Sequence, residues 1–363
     1  MRLTWLWLLF TPVLLFGQTK TETGTLGNAS FRIDIPSNWN GGLVVFCHAY
    51  EFLPVVYDKS DLDATLHVFV SKGYAVAQSG YSSGGWAVRE GIHDTEMLRR
   101  YFIREHGIPK KTYVAGMSLG SLISVAIMET EPDAFQAGLA LCGPLAPTEE
   151  FMARRIFDLL IVFDYYLPGL LPRLDRIPED FSPTPEIFRE ISQKLQSHPE
   201  KARELVQFAG LRNNQELINT IGFFSMILKE VEKRSGGNPF DNREVVYKGT
   251  SNDAGLNKGA KRYAADRKAM LYLKKYYTPT GHLSAPLLSL QTAYDPLMPD
   301  WVKSEYFKIV RKSGESKFFF QETVPGNGHC DIMPSDVDRA LVALENWQRA
   351  GKSPASVASQ AAR

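Results

Sequence analysis

Three features of this 363-residue chain predict an α/β fold with a mostly parallel central sheet covered by helices on both faces. Short apolar segments alternate with helical patterns in the order β-α-β-α-β-α-β between residues 29 and 142. Parallel neighbours need a long crossover, usually a helix, so this rhythm implies parallel pairing. The segment Leu43-Val44-Val45-Phe46-Cys47 is continuously apolar, as a central strand buried on both faces requires. Midway, the glycine-bracketed turn Gly116-Met117-Ser118-Leu119-Gly120 joins a strand to a helix.

Taken in order, residues 29–35 alternate in strand fashion, and Pro36-Ser37-Asn38 begins a turn that runs to Gly41-Gly42. The apolar strand 43–47 runs into His48-Ala49-Tyr50. An amphipathic helix is expected over 61–71, stopped by Lys72-Gly73, and then a strand over 74–78 leading to the turn Ser83-Gly84-Gly85-Trp86. Helix 88–106 ends at Gly107 and Pro109, where strand 111–115 begins. Beyond Ser118, Leu122, Ile123, Val125, Ala126 and Met128 recur at helical spacing until Pro132, and a strand follows over 137–142.

From 146 to 281 the rhythm changes. Helical segments dominate, broken by Pro168, Pro172, Pro178, Pro183 and Pro185, which predicts a helical cap inserted before the acid-bearing strand. The β-rhythm resumes with strand 286–291, helix 302–311, strand 317–323 and helix 334–347. The organisation expected is a signal peptide over 1–18, a first part of the core over 19–145, the cap over 146–281, a second part of the core over 282–349 and a small, polar, disordered tail over 350–363.

The signal peptide is read from Arg2 followed by an apolar run to Phe16, broken by Pro12 and ending at Gly17-Gln18. That run is shorter than the roughly 20 residues a spanning helix needs, so the chain is expected to be exported, periplasmic or extracellular, with an uncleaved N-terminal anchor as the alternative and no stable membrane insertion after cleavage. A net charge of +1, from 41 basic and 40 acidic residues, argues against a nucleic-acid partner. Cys47, Cys142 and Cys330 are too few for a disulfide framework and leave at least one unpaired, with one bridge open among them. None belongs to a C-x-x-C pair and the seven histidines are scattered, so no metal is expected.

G-x-S-x-G is the form of a nucleophile elbow, in which side chains at the glycine positions would collide with neighbouring backbone. Ser118 then sits at a helix N-terminus, where developing negative charge is favoured. A serine hydroxyl needs a histidine to take its proton and a carboxylate to orient that histidine, in chain order Ser, acid, His for this architecture. Asp295, in Tyr294-Asp295-Pro296-Leu297, and His329, in Gly326-Asn327-Gly328-His329, each follow a late strand as that order requires. Asp300 is better placed to cap the next helix, and Asp331 is too near His329 in sequence. His67, His93, His106, His198 and His282 read as surface or packing residues, and His48 as a structural residue of its loop. Two backbone N–H groups should hold the oxyanion, and Leu119 and Tyr50 are the candidates, with Ala49 as the alternative to Tyr50. Trp86 and the aromatics of the cap are candidates for binding an aromatic or medium-sized apolar acyl group.

The Gly116–Gly120 elbow, the Asp295-Pro296 turn, the Gly328-His329 loop and the late insertion together resemble the α/β-hydrolase superfamily over roughly residues 29–348. The ending Gly328-His329-Cys330 is similar to that of tannases and feruloyl esterases, which carry a large lid before the acid. That group has a cysteine immediately before the serine, bridged to the one after the histidine; Met117 stands there in this chain. A looser likeness is to exported prolyl oligopeptidase and aminopeptidase relatives. What the resemblance and the triad imply is a serine hydrolase that needs no cofactor and acts on a small-molecule ester. The alternatives are a serine peptidase of the same fold or a non-catalytic binding protein on that scaffold.

Overall fold

The computed structural model describes residues 19–354. The expected signal peptide and most of the expected tail therefore lie outside the described residues. One eight-stranded sheet runs through the molecule in the order β1-β2-β4-β3-β5-β6-β7-β8. Its strands are β1 Lys20–Leu26, β2 Ala29–Ile35, β3 Gly42–Cys47, β4 Ala75–Ser79, β5 Lys111–Met117, β6 Ala137–Leu141, β7 Leu287–Tyr294 and β8 Phe319–Asn327. From β4 to β8 every neighbouring pair is parallel, whereas β1 and β2 join antiparallel at one edge.

The edge hairpin extends the sheet beyond the expected first strand. Leu26 pairs with Ala29 across Gly27-Asn28, and Gly27 has φ +61°, the left-handed backbone that two-residue hairpin turns demand. Its sequence, KTETGTL, carries no apolar alternation because the strand is largely half-buried at the edge.

Side-chain alternation divides the central strands between two cores. On one face, Val44, Phe46, Val76, Leu139, Leu141, Leu288 and Leu290 pack under α1 (Ala64–Ser71) and α12 (Pro334–Ala350). On the other, Leu43, Val45, Cys47, Ala75, Ala77 and Val114 meet α2 (Val88–His106), α3 (Leu119–Thr130) and α11 (Asp300–Ser313). Helix α1 starts three residues later than its pattern suggests, because Asp63 caps it by accepting a hydrogen bond from the Thr65 amide at 2.7 Å.

Between β6 and β7 the described residues are helical. The first helix runs over residues 148–166 as α4 (Thr148–Phe151), a π-helical stretch (Met152–Phe157) and α5 (Asp158–Tyr166). There follow α6 (Pro185–Ser197), α7 (Pro199–Ala209), α8 (Asn214–Ser235), α9 (Asp253–Gly259) and α10 (Arg267–Lys275). Ile156, Leu160 and Phe163 of the first helix and Ile221, Phe224 and Leu228 of α8 are buried in the same core as α3, so the insert packs on the sheet side that α2 and α3 occupy. Among the described residues, no helix is long and apolar enough to cross a membrane.

One buried group in the insert should make the stability depend on pH. The Ile177 amide donates to Glu232 Oε2 at 2.8 Å, while Oε1 is buried without a partner. Burial pushes the Glu232 carboxyl up to about 7, with the negative charges of Asp175 and Asp266 adding to the shift. A carboxyl that holds its proton more tightly when folded stabilises the fold below its unfolded value and loses that contribution as pH rises through about 7. Glu232→Gln keeps the acceptor for Ile177 and removes the charge. The variant should match the wild type near pH 4.5 and gain about 1–3 kcal/mol at pH 8.5. Urea unfolding at the two pH values reads this directly; an equal difference at both would refute it.

Candidate active site

The site begins with a backbone constraint at the C-terminal end of β5. Ser118 has φ +53° and ψ −120°, a strained conformation for a residue with a side chain, and α3 starts at the next residue. The turn is tight enough that a Cβ on Gly116 would lie 2.0 Å from the Gly120 carbonyl oxygen, and one on Gly120 would lie 2.0 Å from that of Cys47. Both glycines are thus sterically required. The Ser118 amide donates to the Leu141 carbonyl at 2.8 Å, tying the turn to β6. What remains is a hydroxyl lifted above the sheet edge at the N-terminus of a twelve-residue helix.

Ser118, His329 and Asp295, 211 and 34 residues apart along the chain, come together here. Ser118 Oγ lies 2.8 Å from His329 Nε2, and His329 Nδ1 lies 2.8 Å from Asp295 Oδ2. The second carboxylate oxygen of Asp295 accepts from the amides of Leu297 at 2.8 Å and Met298 at 3.0 Å. With both oxygens engaged as acceptors, Asp295 draws the imidazole proton to Nδ1 and leaves the Nε2 lone pair facing the serine. A register shift in β7 between Thr292 and Tyr294 precedes the acid, the kind of bulge that re-aims the residues after it. Asp300 points away, with its carboxylate almost fully exposed, and Asp331 accepts from the Asn327 amide at 2.9 Å, shaping the histidine loop instead.

A disulfide holds that loop. Cys330, next to His329, is bonded to Cys142 at the end of β6, while Cys47 is free and buried. The bridge open in the sequence is therefore assigned, and it answers the substitution at Met117. Met117 pairs with Leu141 across β5 and β6, so Cys142 reaches the histidine loop from the strand beside the serine.

Leu119 is the first residue of α3, immediately after Ser118. Tyr50 lies in the loop after β3, whose start at Cys47 and His48 the Gly120 backbone touches. The His48 ring stacks on Tyr81 with centroids 3.9 Å apart, and its Nδ1 donates to the Ala49 carbonyl at 2.6 Å. Burial holds its imidazole below the ordinary value, in keeping with a neutral ring. Trp86 is buried and stacked on Phe151, and its indole Nε1 has no hydrogen-bond partner. The Tyr50 hydroxyl is also buried without one, and its ring packs edge-on against Phe223 of α8.

Three side chains that sequence reasoning missed, Glu230, Arg234 and Arg155, join the insert to this region. Glu230 of α8 accepts from the Trp86 amide at 2.9 Å and from Arg234 Nε at 2.6 Å. Arg234 further donates to Glu90, Ser83 and the Gly84 carbonyl. Arg155, in the π-helical stretch, donates to the carbonyls of Pro296, Leu297 and Ala209. Only the apolar run that Arg155 precedes could have flagged it, as a charge at the border of a buried segment. Among the described residues, no group of three or more His, Cys, Asp or Glu is arranged to hold a metal.

No family model matches the chain and no curated protein sequence does. Among solved structures, a presumed hydrolase of Legionella pneumophila is similar over 88% of this chain and 84% of its own, at 16% identity and a TM-score of 0.50. An acylaminoacyl peptidase of Pyrococcus horikoshii is similar over 92% of this chain, at 12% identity and a TM-score of 0.48, and an esterase of Pyrococcus furiosus over 97% of this chain and 94% of its own, at 15% and 0.45. This chain spans 41% of the length of the peptidase. At such identities the likeness is one of fold, and the fold is that of the α/β-hydrolases.

The disulfide supplies a test of how the loop is held. Replacing Cys142 and Cys330 together by serine should cost about 2–5 kcal/mol of stability, since the bridge closes a long stretch of chain. Amide hydrogen exchange over residues 326–331 should accelerate in the same variant. Unchanged melting and exchange would mean that hydrogen bonds alone fix the histidine.

Proposed function

We propose that the chain is an exported serine hydrolase that cleaves a carboxylic ester through an acyl-enzyme on Ser118. The observation that carries this reading is the relay from Ser118 Oγ through His329 to Asp295, with 2.8 Å at each step. His329 Nε2 takes the serine proton as Oγ attacks the ester carbonyl, and Asp295 stabilises the imidazolium without itself taking a proton. The oxyanion is held by the amides of Leu119 and Tyr50, with the N-terminus of α3 beneath it. Collapse of the intermediate breaks the bond to the alcohol, which leaves with the proton from Nε2. Water then attacks the acyl-serine, His329 again accepts the proton, and the carboxylate product departs.

The helical insert serves as the cap over this site, with Phe223 of α8 against Tyr50 and Arg155 against the turn after Asp295. One specific observation favours an ester over a peptide with a free N-terminus. Capture of an amine needs an uncommitted carboxylate, and Glu230, the α8 carboxylate beside Trp86, is already engaged by Arg234 and the Trp86 amide. Support for export is the apolar run before Gly17-Gln18, which has the form of a signal peptide.

Ser118→Ala should lower hydrolysis of a nitrophenyl ester by about 10⁴-fold or more and abolish labelling by an organophosphonate. Labelling that persists in the variant removes the assignment. Assayed in parallel, the ester should turn over and an aminoacyl amide should not; the reverse order makes the chain a peptidase. A wild type unlabelled by a broad phosphonate panel would be a binding protein on a hydrolase scaffold.

A further inference from the structure

The buried Arg155 has no carboxylate partner: among the described residues it forms no ion pair, and its side chain is spent on backbone carbonyls. Burying a guanidinium on neutral acceptors is expensive, so the placement calls for a reason. The acceptors supply one. Nε is 3.2 Å from the Leu297 carbonyl and a terminal nitrogen reaches that of Pro296, both in the turn that immediately follows Asp295. Leu297 uses its other backbone group, the amide, to hold Asp295 Oδ1 at 2.8 Å. One peptide segment therefore faces the acid with its N–H groups and Arg155 with its C=O groups.

We infer that Arg155 is a positioning residue for the relay: by clamping the 296–297 carbonyls it fixes the amides that orient Asp295, and through Asp295 the ring of His329. The inference rests on the catalytic reading of Ser118, His329 and Asp295 given above. A planar guanidinium suits this task because its fork reaches two successive carbonyls at once, which a lysine ammonium cannot do as rigidly. Burial draws the guanidinium down to about 10, and the nearby Asp295 opposes that shift. The third bond, from Nη1 to the Ala209 carbonyl at 2.8 Å, reaches the last residue of α7, so two segments of the insert converge on the acid. The π-helical stretch that bears Arg155 is the sort of helix irregularity that recurs at functional sites. A consequence is that the insert cannot lift from β7 as a rigid lid without releasing the acid turn.

The test compares wild type, Arg155→Lys and Arg155→Met on a nitrophenyl ester, together with the far-downfield proton resonance of the His329 Nδ1–H to Asp295 hydrogen bond. For Arg155→Met the expectation is a folded protein with KM within about threefold, kcat lowered about 10- to 100-fold, and the resonance lost or displaced. Arg155→Lys should recover part of kcat, since it returns the charge without the fork. An unaltered kcat and resonance in Arg155→Met overturns the inference, as does unfolding of both variants, which would make the residue purely structural. If the wild type hydrolyses no ester but shows the resonance, and Arg155→Met abolishes it, the proposed function fails while the positioning role stands.

Discussion

The absence of side chains at Gly116 and Gly120 is the constraint on which the rest of the site depends. It allows the turn at Ser118 to be pressed against the end of β3, with the Cys47 carbonyl 2.0 Å from where a Cβ of Gly120 would be. Gly143, after β6, is held in the same way, since a Cβ there would lie 2.3 Å from that of Ser121. Three neighbouring strands are thereby locked at their C-terminal ends. Ser121 completes the lock with its hydroxyl, which lies 2.9 Å from the Gly116 carbonyl and 2.5 Å from that of Leu141. A strained residue costs about 1–3 kcal/mol and persists only where its surroundings over-determine it. Here they do, and the loops bearing Tyr50 and Cys142 inherit fixed positions from the same contacts.

The insert is attached to this frame by polar seams set into an otherwise apolar interface. Hydrophobic burial holds surfaces together without fixing their register, whereas buried hydrogen bonds are directional and costly to break one at a time. At one seam Arg155 binds the turn after the acid; at the other, Arg234 and Glu230 grip the glycine-rich turn before Trp86. The second seam also depends on a glycine. Gly85 has φ +77°, and a Cβ there would meet the Glu230 carboxyl carbon at 2.2 Å. Sliding of α8 along the core would thus break the Glu230 bond to Trp86 and the Arg234 bonds to Glu90 and Gly84 together.

Much of this was legible in the sequence because it is written in local terms. Continuous apolar runs marked β3 and β6, punctuation by glycine and proline marked the helix ends, and the chemistry of a serine nucleophile dictated where an acid and a histidine should be sought. Asp295 and His329 were found by that order, and the structure brings both to hydrogen-bonding distance. Other features are set by tertiary partners and leave little or no local trace. Strand β1 is polar because it forms an edge; the pairing of Cys142 with Cys330 spans 188 residues; Arg155 differs from any surface arginine only in what surrounds it. Trp86, singled out as an aromatic beside a glycine turn, proves to be buried against Phe151, a distinction that depends on where the insert lies.

The Ser118–His329–Asp295 arrangement also has a gradient of exposure. The Asp295 side chain is fully buried, whereas that of His329 is 21% exposed. A carboxylate shut away from water would interact more strongly with the imidazolium that forms in the proposed reaction, because little solvent screens the pair. It would be unstable there without compensation, and the amides of Leu297 and Met298 provide it on one oxygen while His329 occupies the other. In the proposed reaction the histidine meets substrate, leaving group and water in turn, and it is accordingly less enclosed. Its loop is instead restrained from behind, by the Cys142 bridge, by Thr292 Oγ1 donating to the Gly328 carbonyl at 3.1 Å and by Asp331 on the Asn327 amide. The backbone is thus pinned while the His329 side chain keeps 21% of its surface exposed, against none for Asp295.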